Sequence, residues 1–376
     1  MKRKAGILAA AAALVAVAVT ASLAQGGAAT RADGHGGGGD HGRGNGVQHV
    51  FVIMLENHSQ QGVIGDANAP YITSLATHYA SAGRYYGVTH PSEPNYVALL
   101  SGSNWWVNND SPDNRFNHVN LVDLLDAAHK SWGAYMEAMP ADDKTVDYWP
   151  GTGTQLYASK HNPFVLFDDI RNDPSRMANV KPYTSFASDL AKERTTPDFS
   201  FIVPDQCNDM HGGVYTAVPG HPETTCPYGS ANDDANDASL KQKADAFVHR
   251  TVETIMHSDA WRGGTSAIFV VSDEGDYTSN AMNGGWDSPA GCCDSPLLPA
   301  GDPDINPAWP GGLYGGGLVP AVVVVNHGGR MGGYVSDTPY NHYSLLATLE
   351  QIWNLGQIGF TSDTAQVTPM TEFFGH

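Results

Sequence analysis

A chain of 376 residues, 41% apolar and 16% charged, has the composition of one large or two modest globular domains. Its 39 acidic residues against 20 basic ones leave a net charge of −19. That balance excludes nonspecific attraction to nucleic acid or to an anionic membrane surface, and an anionic substrate would need a metal or a few placed cations.

The N-terminus opens with Lys2-Arg3-Lys4 and runs on as an Ala-rich apolar stretch from Gly6 to Leu23. Small-residue cleavage sequences follow at Ser22-Leu23-Ala24 and Gly27-Ala28-Ala29. This reads as an export signal over 1–29, with no stable membrane span after cleavage, and the protein is expected to be secreted. A membrane anchor is the weaker reading, because alanine makes the run only mildly apolar. Residues 30–46 are Gly- and His-rich and read as a flexible leader. Residues 47–376 show no internal boundary and read as a single catalytic domain. Export permits disulfides. Four cysteines allow three pairings. Cys207 with Cys226 closes a short loop, which leaves Cys292 and Cys293 to join each other or stay free.

His49 to Leu55 is a continuous apolar run, the pattern of a strand buried on both faces. It ends in Glu56-Asn57-His58-Ser59. The spacing of Ile72, Leu75, Ala76 and Tyr79 predicts a helix over 71–82. A short strand-like piece, 83–88, leads into Thr89-His90-Pro91-Ser92-Glu93-Pro94-Asn95-Tyr96. The two prolines push His90 and Glu93 to extended backbone. A helix is predicted from about Pro94, which sets the Ser92 hydroxyl near free N–H groups that favour an anion. A plain capping serine would give the same local pattern.

Further along, a helix is predicted over 121–128, a strand over 132–136 and a buried strand over 198–204. That strand runs into Asp205, Asp209 and His211. A helix over 240–256 precedes a buried strand over 266–272, which ends in Asp273-Glu274-Gly275-Asp276. The Gly- and Pro-rich stretch 279–317 is long enough to be functional or clamped by a disulfide. A strand over 319–325 and a helix opening near Tyr340-Asn341-His342 complete the chain. Strand and helix alternate, so the expected fold is α/β: a three-layer α/β/α sandwich with a mostly parallel central sheet.

Open sheets of this kind place their sites at the carboxyl ends of the strands. Here those ends carry oxygen and imidazole donors, which a divalent metal requires. A serine hydroxyl is a weak nucleophile until a base or a metal activates it. The combination points to phosphoryl transfer. The chain lacks a G-x-x-x-x-G-K-[ST] loop and a G-x-S-x-G elbow.

These stretches, together with Lys160-His161-Asn162-Pro163 and His342-Tyr343-Ser344-Leu345-Leu346, resemble the bacterial phosphoesterase family. That family holds secreted acid phosphatases and phosphate-releasing phospholipases C, within the alkaline-phosphatase-like superfamily. The nearest look is to acid phosphatases acting on phosphatidylinositol 3-phosphate. The resemblance implies Ser92 as a nucleophile that becomes phosphorylated. It implies one metal cluster at Glu56, Asn57, Asp273 and Glu274, holding the Ser92 oxygen, and a second at Asp209, His211 and His342. His90 and Asn95 would orient the serine or the phosphate. Lys160 and His161 would contact the phosphate or the leaving group, with His161 suited to general-acid work. The expected cofactor is one or two divalent ions, in a set richer in oxygen than that of two-zinc relatives. The expected partner is a small phosphorylated substrate or a phospholipid head group. Other readings of the same residues are cleavage of phosphodiester lipids, with 284–317 facing lipid, a metal-free serine esterase, and a noncatalytic metal- or glycan-binding role using Trp105 and Trp106.

Overall fold

Strand β1 (Val47–Leu55) runs through the middle of the protein, and both its faces are covered. Val50, Val52 and Met54 pack with Tyr96, Leu99 and Leu345, while Phe51, Ile53 and Leu55 pack with Ile72, Phe247 and Val252. Successive side chains of a strand point to opposite faces, so an unbroken apolar run is what a strand between two helical layers needs. Each large side chain buried in this way contributes about 1.5–3 kcal/mol. The computed structural model describes residues 46–151, 154–229, 235–276, 290–298, 300–301 and 312–375. The expected signal and leader, and most of the stretch 279–317 with its lipid-facing reading, lie outside them.

Among the described residues the central sheet has eight strands. The others are β2 (Ala80–Ala82), β3 (Trp132–Met136), β4 (Val180–Pro182), β5 (Phe199–Val203), β6 (Thr265–Ser272), β7 (Ala321–Val325) and β8 (Tyr334–Ser336). Their order is β8-β2-β7-β6-β1-β5-β3-β4, and β7 alone runs against the rest. One layer holds helices α2 (Ser92–Ser101), α3 (Leu121–Ala127) and α5 (His342–Ile352). The other holds α1 (Pro70–His78) and α4 (Ala235–Met256). This is the expected three-layer α/β/α sandwich with a mostly parallel sheet.

Several expected elements shift. The helix predicted over 71–82 stops at His78, because Ala80 to Ala82 enter the sheet beside β7. The strand predicted over 319–325 is present, but antiparallel to β6. The edge strands β4 and β8 have three residues each, too few to show a period. Both cysteine pairs are closed, Cys207 with Cys226 and Cys292 with Cys293. Among the described residues, no helix is long and apolar enough to cross a membrane.

Candidate active site

Three neighbouring strands deliver the polar residues. In β1, Ile53 is in register with Ile202 of β5, and Leu55 with Ser272 of β6. The chain then leaves all three strands at one edge. Glu56 N–H donates to Asp209 O at 2.7 Å, and Asp273 N–H donates to Leu55 O at 3.0 Å. Asn57, at φ 50°, takes the left-handed backbone that asparagine tolerates, and its N–H donates to Asp273 Oδ1 at 3.0 Å. Carboxylates from three strands are thereby packed together with almost no access to water.

Ser92 reaches this edge from the opposite direction, as the first residue of α2, two residues earlier than the predicted helix start. The turn before it is held by Asn95, whose Oδ1 accepts Val88 N–H and Thr89 N–H while its Nδ2 donates to Thr89 O and Pro91 O. All of its polar capacity is spent on the loop. These bonds tie the Asn95 side chain to the turn that carries Ser92. The buried Ser92 Oγ lies 3.0 Å from Glu56 Oε2 and 3.1 Å from Glu274 Oε1. Tyr96 donates to the other oxygen of Glu56, and His90 Nδ1 meets the other oxygen of Glu274.

His161 stacks on Tyr96 and bridges two acids, with Nε2 3.2 Å from Glu56 Oε1 and Nδ1 3.5 Å from Asp209 Oδ2. Lys160 Nζ binds Asp110 Oδ2 at 3.0 Å and faces His211 Nε2 at 3.2 Å. His211 is fixed by its own N–H to Asp209 Oδ1 and by Nδ1 on Gly212 O. His342 stays apart from this group. Its Nε2 bonds Asp273 O at 2.6 Å and its Nδ1 meets Tyr85 Oη at 3.0 Å, so both ring nitrogens are engaged. In this structure His342 buttresses the backbone of Asp273.

The electrostatics follow from burial. Glu56 is pushed well above its ordinary carboxyl range by burial and by Asp273 and Asp209 beside it. Asp209 and Asp273 are raised in the same way, by burial first and then by neighbouring acids. Burial and the Lys160 ammonium hold His161 well below its ordinary value and take His211 down to about 3. Burial alone would depress Lys160, but Asp110 and Glu56 outweigh it and hold the ammonium charged. An imidazole kept neutral has one ring nitrogen free of a proton and able to bind a cation.

Buried acceptors that find no hydrogen bond cost about 1–3 kcal/mol each. Asn57 Oδ1, Asp209 Oδ2 and Asp273 Oδ2 are of this kind. Among the described residues, Glu56, His161 and His211 form the group whose ligand atoms all lie within 4.8 Å of one another. Orphaned oxygens beside neutral imidazoles are the donor set a divalent cation fits. Two residues of the site carried no role in the sequence reading. Tyr96 stands inside the quoted motif as an apparently apolar helix residue, and Asp110 lies in a polar loop with nothing in its spacing to single it out.

A mostly parallel sheet with a helix-start serine and buried acids at its carboxyl edge defines an α/β protein with an acidic site at that edge. The sequence pattern of the Phosphoesterase family matches residues 66–356, and the chain belongs to that family. It is 25% identical over 317 residues to an acid phosphatase of Aspergillus fumigatus, covering 82% of this chain and 55% of that protein. It is 27% identical over 311 residues to a phosphate-repressible acid phosphatase of Penicillium chrysogenum, covering 82% and 59%. The chain thus spans little more than half the length of these fungal proteins. A phosphatidylinositol-3-phosphatase of Mycobacterium tuberculosis is 26% identical over 328 residues, covering 87% of this chain and 83% of that one. Among solved structures, a Bacteroides thetaiotaomicron chain from work on glycosaminoglycan metabolism is similar in fold, with a TM-score of 0.50 at 12% identity over 83% of this chain and 78% of that one. A Vibrio parahaemolyticus protein of the alkaline phosphatase superfamily has a TM-score of 0.48 at 11% identity, over 84% and 69%.

Proposed function

We propose that this protein is an exported phosphomonoesterase of the acid phosphatase type, with Ser92 as its nucleophile. The observation that carries the reading is the position of Ser92 Oγ, at the start of a helix and within hydrogen-bond reach of two carboxylates from different strands. A helix N-terminus favours the phosphate dianion that a monoester presents. Glu274 accepts the serine proton as Oγ attacks phosphorus, and His90 on its far oxygen holds the carboxylate in place. As the Oγ–P bond forms, the P–O bond to the ester oxygen breaks and that oxygen leaves with the proton Glu274 has taken; water then attacks the phosphoserine, its proton passes through Glu274 to Ser92 Oγ as the Oγ–P bond breaks, and phosphate is released. Lys160, the ammonium beside the site, contacts a phosphate oxygen.

Glu56, His161 and His211 would hold a divalent ion, beside buried oxygens of Asn57, Asp209 and Asp273 that make no hydrogen bond. When bound, such an ion supplies positive charge against the transferring phosphoryl group and lowers the pKa of a coordinated oxygen. The substrate class is a phosphate monoester, a small one or an inositol-lipid head group of the kind named for the mycobacterial relative. The two disulfides suit an oxidising compartment and support export, together with the basic-then-apolar N-terminus.

The test is phosphate release from p-nitrophenyl phosphate across the acid to neutral range, comparing the protein with its Ser92→Ala variant. Loss of kcat by about a thousandfold or more, with the fold intact, is expected for removal of a covalent nucleophile. Equal rates in the two proteins, or none in either, would overturn the reading.

A further inference from the structure

One carboxylate connects the nucleophile's helix to the ammonium beside the site. Asp110 Oδ1 accepts the N–H of Glu93, the residue after Ser92, at 2.9 Å. Its Oδ2 binds Lys160 Nζ at 3.0 Å. Lys160 also meets His211 Nε2, and it is the cation that opposes the crowding of acids at Glu56, Asp209 and Asp273. An ammonium has three donors; Asp110 and His211 take two, which leaves one for a ligand oxygen. A lysine head on its flexible stem does not fix its own position. Lys160 rides on a one-turn segment, Ser159–His161, and cannot borrow rigidity from a long element. Asp110 supplies it, because its carboxylate is itself anchored to the backbone that begins α2.

We propose that Asp110 is a positioning residue for phosphate: it sets the spacing between the Ser92 hydroxyl and the Lys160 ammonium. It governs how tightly phosphate is held more than how fast the ester is cleaved. The inference rests on the phosphomonoesterase reading. A purely electrostatic role would have the opposite sign. Asp110 is an acid near an anion site, so removing its charge would by itself tighten phosphate binding. A positioning role predicts that the same change weakens it.

Asp110→Asn separates the two. The amide keeps an oxygen for the Glu93 N–H and turns an N–H group toward Lys160 Nζ, where it cannot accept. Inorganic phosphate binding by calorimetry and steady-state hydrolysis of p-nitrophenyl phosphate are measured on the full chain. The expected result is a rise of about ten- to a hundredfold in Kd and KM, the worth of a hydrogen bond to a charged group, with kcat within about threefold. Lys160→Ala weakens phosphate by a similar factor, and the double variant is no worse than Lys160→Ala alone. Asp110→Glu keeps the charge and displaces the lysine, and also weakens phosphate, which tests the idea should the Asn variant not fold. Unchanged or tighter phosphate binding in Asp110→Asn, or additive losses in the double variant, overturns the inference while leaving the phosphatase reading in place. Weaker phosphate binding in the variant, in a protein that turns no ester over, supports the positioning role and sinks that reading. A wild-type protein that binds no phosphate sinks both.

Discussion

Ser92 and Glu56 stand 36 positions apart in the chain and 3.0 Å apart in space, hydroxyl to carboxylate. The contact joins the start of α2 to the end of β1, the central strand of the site. Glu56 is also the acceptor for Tyr96 and a neighbour of His161. It therefore meets the Ser92 hydroxyl and the His161 imidazole at once. Glu56→Gln keeps the volume and one acceptor but removes the charge. Hydrolysis is expected to fall by about a hundredfold or more, in the range seen for loss of a group that stabilises developing charge. The variant is expected to melt no lower than the parent without metal, because a buried carboxylate crowded by Asp273 and Asp209 destabilises the fold when it ionises. Steady-state kinetics and a melting curve on the same preparation check both halves.

The two histidines assigned together from sequence are expected to behave differently toward a cation. His211→Ala should weaken divalent-ion binding by about ten- to a hundredfold, whereas His342→Gln should change it by less than about threefold and lower the melting temperature instead. The reason is that Tyr85 and the Asp273 carbonyl already engage both nitrogens of His342. Titrating the apo protein with manganese, magnesium, calcium or zinc while following thermal unfolding gives both readings. The stabilisation by the ion should grow as pH rises. Protons held by the raised carboxyls of Glu56, Asp209 and Asp273 compete with the ion, and they are lost at higher pH.

Cys207 and Cys226 close a loop with a sequence separation of 19, and Asp209 and His211 lie just inside it. Replacing both cysteines by serine is expected to destabilise the protein by about 3 kcal/mol, the chain-entropy value for a loop of this length. Hydrolysis should fall with it even at temperatures where the fold persists, since two residues of the site lose their tether. Denaturant titration and kinetics at low temperature test the pair of effects.

Glu350 offers a pH signal away from the site. Burial pushes its carboxyl up to about 7, against accepted hydrogen bonds from Thr361 Oγ1 and Ile358 N–H, each 3.0 Å from Oε1. A raised folded-state value means that its contribution to stability is whole below the ordinary 4.5 and is lost as pH rises through about 7. Glu350→Gln never ionises. Its melting temperature should exceed the parent's above that range, by the equivalent of about 2 kcal/mol after allowing for solvent screening, and should match it in acid. A gap that is the same at every pH would contradict this account.

Much of the architecture is legible in local pattern. The apolar runs of β1, β5 and β6 announce strands buried on both faces, and the acids that follow them announce an edge where a site is placed. Three-residue strands carry no such period, so β2, β4 and β8 were invisible, and β2 was absorbed into the helix before it. The direction of β7 was equally hidden, because an apolar run reads the same whichever way it is paired.

For the site, the acids at the strand ends and the serine between two prolines are legible in the sequence, and the structure brings them to one edge. Which atom meets which did not follow. His161 stands among Glu56, Asp209 and His211, His342 props the backbone of Asp273, and Asp110 joins Lys160 to the start of α2, and none of these meetings can be read from local spacing. By itself the sequence determined the fold class, the edge that holds the site and the kinds of side chain gathered there, since these depend on periodicity and on strand ends. Only the tertiary structure decided how those side chains divide the work, because that division depends on which ring nitrogens and carboxylate oxygens are already engaged by groups far away along the chain.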